Sequence, residues 1–350
     1  MELPEALRLA IIETAERQPH QTLERAAANL SAAYRADDGA NTTHAMDSPA
    51  AVAAYAVTRL PATYAALAAA LSEARARLPR WEPRALLDAG AGPGVSAWAA
   101  SAVWPSLRHA TLLERDQRMI ALGTELLAAS PPGALQVAWR QVDMAGPWGR
   151  PTPAPADLVT CAYALNELPE ARRAELVARL WNATEPARGA LALAAPGTPA
   201  GFAAIRAARD QLIAAGARII APCPHERACP MLPGDWCHMA QRLARTRLHR
   251  RLKGGDAPFE DEKFSYIVAA RQAGAPIAAR VIRRPLTRPG RITLDLCGPD
   301  GLTQREITRS QRLLFRLARD ARWGSAWPLA TSDESGAGDA DMSSEGNARE

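Results

Sequence analysis

No apolar stretch of 18 or more uninterrupted residues occurs in the 350-residue chain, which speaks against a membrane-spanning helix. The opening residues, MELPEALRLAIIETAERQPH, carry acids early and lack the apolar core that a secretory leader needs. The expectation is a bacterial-type chain without a targeting signal, cytoplasmic and without a membrane partner. Lysine is nearly missing: only Lys253 and Lys263 stand among 42 basic residues. Arginine suits phosphate and base stacking better than lysine does, although a nucleotide bias of the genome gives the same arginine- and alanine-rich composition. Cysteine is sparse. Five residues, an odd count without a secreted spacing, do not make a disulfide framework and read as metal ligands or core thiols. No internal repeat is found.

What is present is globular. Apolar residues make up 48% and charged residues 23%, enough for a sizeable core, and the length suits two or three modules. Residues 1–80 read as a helical region, with Ala and Leu at helical spacing and one interruption at Pro61. Residues 81–220 alternate strands (ALLDA, ATLLERD, LQVAWRQVD, ADLVTCAYAL, GALALAAPG) with helices. That alternation predicts an α/β fold with a mostly parallel sheet covered on both faces. Residues 221–330 open on a Pro- and Cys-rich stretch that cannot be regular. A basic segment over 240–253, read as helical, follows. FSYIVAAR and RITLDLC return to strand, and TQREITRSQRLLFRLARDARW closes as a helix. Residues 331–350 hold six acids and one Arg and predict a disordered acidic tail; without it the remaining residues carry about +10.

The run Asp88-Ala-Gly90-Ala-Gly92-Pro-Gly94 sits where the first strand meets a helix. Glycines let backbone approach a ligand, and a helix N-terminus presents free N–H groups. Glu114, at the end of the next strand, is placed to accept both ribose hydroxyls of a nucleotide. An acid before the first glycine is the form of S-adenosylmethionine sites, whereas NAD sites more often have an apolar residue and G-x-G-x-x-G. Asp143, closing the third strand, is placed to meet an adenine amino group. Asn166, beyond the fourth strand, lies where a methyl acceptor enters. The (Asp/Asn)-Pro-Pro-aromatic tetrad of amino-methylating enzymes is replaced by Leu165-Asn166-Glu167-Leu168, and no cysteine pair suited to attack on a pyrimidine carbon is evident. No catalytic residue is assigned, and binding of the cofactor is better supported than its use.

Cys161 lies inside a strand and reads as a small core residue. Cys223, Cys229, Cys237 and Cys297 remain, spaced C-x5-C-x7-C-x59-C. Four thiolates complete a tetrahedral zinc site or hold the corners of an iron–sulfur cube. Zinc ribbons and knuckles use tight C-x2-C hooks, which this chain lacks, so the wide spacing suits a [4Fe–4S] cluster better, with zinc as runner-up and unligated thiols as the remaining reading. His225 and His238 lie in the same segment as alternative ligands or, more simply, as packing groups. Directly after Cys237, residues 240–255 hold Arg242, Arg245, Arg247, Arg250, Arg251 and Lys253 with no acid. On a helix, spacings of three and four group these on neighbouring faces, suited to a phosphate backbone. Residues 241–330 as a whole hold 19 basic and 8 acidic residues, which concentrates positive field on that half.

The segments YAVTRLPATYAALAAAL (Tyr55–Leu71), LLDAGAGPG, TLLERD, PCPHERACPM, DWCHMAQRL and EDEKFSYIV, with the late Cys297 and ARWG, together resemble a known family over roughly residues 50–325. It comprises the methyltransferase-like proteins of the mitochondrial small ribosomal subunit and their bacterial relatives, the Rsm type. The resemblance implies a Rossmann-like S-adenosylmethionine-dependent methyltransferase fold with an N-terminal helical extension and a Cys-rich metal-binding insertion. By that resemblance Cys223, Cys229, Cys237 and Cys297 are the ligands of a [4Fe–4S] cluster, and Asp88, Gly90, Gly92 and Glu114 line the S-adenosylmethionine pocket. The leading function is binding of small-subunit rRNA in assembly or translation. Two alternatives stand beside it: an active rRNA methyltransferase, and a redox or iron sensor whose cluster gates RNA binding.

Overall fold

The computed structural model describes residues 2–35, 46–129 and 135–328. The acidic tail expected over 331–350 lies outside the described residues.

Among the described residues the first 80 are mostly helical, as their spacing predicts: α1 Glu5–Glu16, α2 His20–Arg35, α3 Pro49–Thr58 and α4 Leu60–Arg77. Ser48 caps α3, its hydroxyl accepting from the Ala51 N–H at 3.2 Å, and Pro49 takes the first position, where its missing donor costs nothing. Pro61 does not kink one long helix. It stands in the first turn of α4, and the break falls at Arg59. Alanine at nearly every contact position lets these helices approach closely, and α4 is buried along almost its whole length.

The main sheet takes β1 Ala85–Ala89, β2 His109–Glu114, β3 Gln136–Gln141, β4 Leu158–Ala162, β5 Ala190–Pro196, β6 Arg218–Ala221, β7 Met239–Ala244 and β8 Phe259–Ala270. The order is β3-β2-β1-β4-β5-β8-β6, with β7 also paired to β8. The first five strands run parallel, and β8 is antiparallel to β5, β6 and β7. Helices α5 Val95–Val103, α6 Gln117–Ala128, α7 Glu170–Asn182 and α8 Pro199–Ala214 join the strands. This is a doubly wound, Rossmann-like sheet. The strand order reverses between β1 and β4, and such a reversal opens a crevice at the strands' C-terminal ends. Both central strands are largely buried, and apolar apart from the buried Asp88 and Thr160, as a sheet covered on both faces requires. Cys161 is fully buried in β4.

A second, five-stranded sheet follows: β9 Ala279–Val281, β10 Leu286–Arg288, β11 Arg291–Gly298, β12 Gly301–Thr308 and β13 Ala326–Trp327, with helix α10 Arg312–Asp320. It has its own core of Val281, Ile292, Leu294, Leu296, Ile307, Ala318 and Trp327.

Two helices read from the sequence are shorter than expected. The basic segment 240–253 is a strand through Ala244, and helix α9 covers only Arg247–Lys253. Residues 239–244 pair in register with residues 259–264 of β8, and Thr246 then caps the helix by accepting from the His249 N–H at 3.1 Å. Residues 303–323 begin as β12, because Gly301 (φ +113°) closes a tight hairpin with β11. Only Arg312–Asp320 is helical. In both places a neighbouring strand overrides the local helical pattern.

Gly123 of α6 shows how tightly the helices seat on the sheet. A Cβ there would lie 2.5 Å from the Trp139 ring and 2.9 Å from the Pro93 backbone carbon. Gly123→Ala should therefore cost about 1–3 kcal/mol despite alanine's better helix propensity. Urea unfolding measures it, and an unchanged or raised midpoint contradicts this packing.

Candidate cofactor pocket and cysteine centre

The glycine loop leaves β1 at the crevice and enters α5. The Gly90 and Ala91 N–H groups both donate to the Leu113 carbonyl at 3.0 Å, which folds the loop over the end of β2. Gly90 sits at φ +71°, and a Cβ on it would lie 2.6 Å from the Ala164 Cβ and 2.9 Å from the Met144 sulfur. Only glycine fits there. Gly94, at φ +79°, is the N-terminal cap residue of α5. The Glu114 carboxylate closes the loop. One oxygen accepts from the Gly92 N–H at 2.8 Å, and the other from the Arg115 and Asp116 N–H groups at 2.9 Å.

Asp88 is fully buried. One carboxylate oxygen accepts from the Thr160 hydroxyl at 2.7 Å, and the other has no partner. Burial pushes its carboxyl up to about 6, against hydrogen bonds from Thr160 and Ser96 that favour the anion. Asn166 lies in a single turn of 3₁₀ helix, Leu165–Glu167, after β4, and its side-chain oxygen is buried without a partner. Asp143 is exposed and accepts from the Ala145 N–H at 2.9 Å. Met144 and Ala164 wall Gly90, so the chain exits carrying Asp143 and Asn166 come to the same loop as Asp88, Gly90, Gly92, Gly94 and Glu114.

Sequence reasoning missed Tyr163 and Glu262. Tyr163 has φ +59°, and it is the one non-glycine residue with positive φ among the described residues. Such a conformation in a bulky residue marks strain held by its surroundings. Its hydroxyl donates to a Glu262 carboxylate oxygen at 2.9 Å, and burial raises both groups. The pair joins the exit of β4 to β8, and no local pattern signals it. Tyr55, from α3, brings its hydroxyl to 3.9 Å from where a Cβ on Gly92 would stand.

The four cysteines arrive from separate segments. Cys223 follows β6, Cys229 lies in the irregular stretch, Cys237 precedes β7, and Cys297 is on β11 of the second sheet. All four line one cavity, part of it open to solvent. Burial raises the Cys223 thiol, although Arg209 acts against it. Burial also raises Cys237, and the other three thiols add to that. Cys297 is pushed up to about 12, by burial first and then by Cys223 and Cys229. His225 Nε2 lies 3.9 Å from the Cys297 sulfur, and its Nδ1 has no partner. His238 instead stacks on Trp236 and meets the edge of Trp323, as a packing group.

Two buried guanidiniums bracket this cavity. Arg209 of α8 donates to the His225 and Arg227 carbonyls at 3.0 and 2.6 Å and to Asp210 at 2.9 Å, while its Nε has no partner. Arg280 of β9 donates to the Pro222 and Gly324 carbonyls at 2.7 and 2.8 Å and to Glu73, while one Nη has none. Buried cations with unpartnered N–H groups ask for nearby negative charge. Asp210 and Glu73 supply part of it, and the N–H groups left over match thiolate better than neutral thiol, a preference that a thiolate-ligated centre fits. Among the described residues no three His, Cys, Asp or Glu side chains group closely enough for one metal ion.

The basic run is largely engaged within the molecule. Arg242 is on a strand, paired with Asp261 at 2.7 Å and stacked on Phe259. Arg245, His249 and Lys253 surround Glu260 at 3.8, 3.4 and 2.9 Å. Burial opposes ionisation of Glu260, yet the His249 and Lys253 hydrogen bonds bring it down to about 2. Arg250 donates to the Asp256 carbonyl at 3.4 Å, and Arg251 pairs with Glu24 at 3.1 Å. Arg247 alone of the six is exposed with no ion pair or hydrogen bond from its side chain among the described residues. The expected single helix is therefore corrected to a strand and a short helix, and the acids of β8 engage most of its charge.

Residues 49–328 match the family described as mitochondrial small ribosomal subunit Rsm22. The human mitochondrial ribosome assembly protein METTL17 is 32% identical over 299 residues, covering 79% of this chain and 62% of that protein. A mitochondrial Rsm22-cox11 tandem protein of Schizosaccharomyces pombe is 26% identical over 349 residues, covering 82% of this chain and 44% of that protein. The chain thus spans about half to three fifths of the length of these relatives. Among solved structures, a precorrin-6y C5,15-methyltransferase from Geobacter metallireducens aligns with TM-score 0.38 and 18% identity over 58% of this chain and 87% of that one. A magnesium protoporphyrin IX methyltransferase from Synechocystis aligns with TM-score 0.36 and 14% identity over 55% and 73%. The sequence matches overturn the expected cytoplasmic location, because the family and both relatives are described as mitochondrial.

The Asp88 carboxyl yields a pH test. A buried acid raised to about 6 favours folding while protonated, and that contribution is lost as pH rises from about 4, its unfolded value, through 6. Asp88→Asn, which keeps the Thr160 hydrogen bond, should gain stability relative to the parent across that window, by up to about 3 kcal/mol. Denaturant unfolding from pH 4 to 7.5 without ligand measures the difference, and a pH-independent one contradicts it.

Proposed function

The chain belongs to the Rsm22 family of mitochondrial small ribosomal subunit proteins, and on that footing we propose that it binds small-subunit rRNA during ribosome assembly or translation, in the mitochondrion. It does so as a methyltransferase-fold protein whose Cys223, Cys229, Cys237 and Cys297 hold a [4Fe–4S] cluster. The observation that carries this reading is the meeting of four thiols, three from the stretch between β6 and β7 and one from β11, on one cavity lined by Arg209, with Arg280 opposite Cys297 in the β9–β11 pairing. A cube bonds each thiolate to a different iron, so it accepts donors spread more widely than the four that crowd one zinc at about 2.3 Å. The cluster's work is structural: it cross-links the irregular stretch 222–238 to β11. Arg209 holds the carbonyls of His225 and Arg227, and Arg280 holds that of Pro222, so both position the cysteine-bearing backbone as well as balancing its charge.

The glycine loop suits S-adenosylmethionine, which when bound supplies an electrophilic methyl group. Gly90–Gly94 offer close backbone, and the one lone pair of Glu114 that the loop N–H groups leave free accepts a ribose hydroxyl. Asp143 meets the adenine amino group, and the unpartnered oxygens of Asp88 and Asn166 accept from the remaining donors. A second reading, active rRNA methylation, is favoured by one observation: the strained Tyr163 and its partner Glu262 at the mouth of the same crevice. Transfer of labelled methyl to naked or assembling small-subunit RNA separates the two.

Cys229→Ser should remove the absorbance near about 400 nm of a thiolate-bound cluster and weaken RNA binding, on the order of tenfold or more, while leaving S-adenosylmethionine binding at the glycine loop unchanged. Parental RNA affinity in a variant that has lost its cluster contradicts the cluster's role.

A further inference from the structure

The second sheet carries arginine charge, much of which no acid among the described residues answers. Residues 279–328 hold eleven arginines against four acids. Arg280 is buried, Arg283 pairs with Asp235, and Arg291 pairs with Glu306. Arg305, Arg309, Arg312, Arg316 and Arg319 are exposed and make no ion pair among the described residues. Their placement is one-sided. On α10, spacings of four and three put Arg312, Arg316 and Arg319 on one stripe, while Leu314, Phe315 and Ala318 pack on the sheet. On β12, Arg305 stands opposite Leu294 of β11 and shares a face with the buried Ile307, the side that α10 covers. The strand acids Asp295 and Glu306 alternate to the opposite face, opposite Gln304 and Thr293. The unpaired arginines of β12 and α10 thus gather on the α10 side, with Asp320 ending the helix, while Arg288 and Arg291 stand with the strand acids on the other face.

We propose that the α10 side of the second sheet is the face that grips the phosphate backbone of RNA. The inference rests on the RNA-binding reading above and replaces the 240–255 run as the main contact. Unpaired guanidiniums present planar donor forks that match phosphate oxygens, and no partner among the described residues has to be given up on binding. An anionic membrane surface is the competing partner, since Leu313 and Leu317 of α10 are exposed. Nine residues with two such leucines make a poor interfacial helix, and Arg305 and Arg309 carry the charge off the helix onto the strand. RNA is therefore the better match.

The test uses the full chain and a small-subunit rRNA transcript, with affinity measured against salt concentration. Arg312→Gln/Arg316→Gln/Arg319→Gln should bind about tenfold or more weakly, with a log–log salt slope lower by about 2. Arg305→Gln/Arg309→Gln, on the strand, should fall in the same direction and covers the case in which the helix variant folds poorly by circular dichroism. Arg80→Gln/Arg108→Gln/Arg188→Gln, exposed arginines on the main sheet's other end, should leave affinity and slope nearly unchanged. Equal losses in all three variants, or no loss in the first two, overturn the proposal and leave RNA binding itself standing. So does unchanged RNA binding with lost binding to phosphatidylcholine–cardiolipin vesicles. A parent chain that binds no RNA overturns the functional reading as well.

Discussion

One buried guanidinium, that of Arg280, ties together three parts of the chain that share no secondary structure. It reaches Glu73 on α4, the Pro222 carbonyl at the start of the cysteine stretch, and the Gly324 carbonyl beside β13. A charge taken out of water costs several kcal/mol unless its surroundings answer it. Here the answers come from the helical region, the main sheet and the second sheet at once, so the cation is satisfied only when all three are in place. Cys223 and Cys297 are brought to one cavity by the same closure. Arg209 repeats the device from the other side, and each of the two keeps one N–H without a partner. Asp210 and Glu73 answer their charge in part, and the N–H groups left over are the physical reason to expect anionic sulfur between them.

The arginines divide into those that hold the fold and those that face outward. Near β8 the acids Glu260 and Asp261 take up Arg242, Arg245 and Lys253, and Glu24 of α2 takes Arg251. A sequence rich in arginine by base composition alone would scatter its unpaired cations. In the second sheet five of them, Arg305, Arg309, Arg312, Arg316 and Arg319, gather on the α10 side. Sorting of that kind is what a surface for a polyanion needs, and it stands beside the cavity whose closure orients it.

Much of the frame was legible because its signals are local. A strand, a glycine turn and a helix in sequence specify the loop of Gly90–Gly94, and the alternation after it specifies the parallel sheet. Cysteines in an irregular, proline-punctuated stretch carry their meaning in composition. The failures have one cause. Residues 240–244 and 303–308 have helix-compatible spacing, but each is claimed by a strand far away or across a hairpin, and only the assembled sheet makes that choice. Tyr163 and Glu262 meet for the same reason, through pairing of β5 with β8, which brings the β8 chain past the exit of β4. The cytoplasmic expectation came from an absence near the first residues, and absence carries no physical address.

The most direct test of the account is metal and acid-labile sulfide analysis of the chain purified without oxygen. A cluster held by Cys223, Cys229, Cys237 and Cys297 requires iron and inorganic sulfide in equal amounts, four of each per chain, lost together when Cys297 is replaced by serine. Stoichiometric zinc without sulfide, or four free thiols titrating in a metal-free native chain, contradicts it.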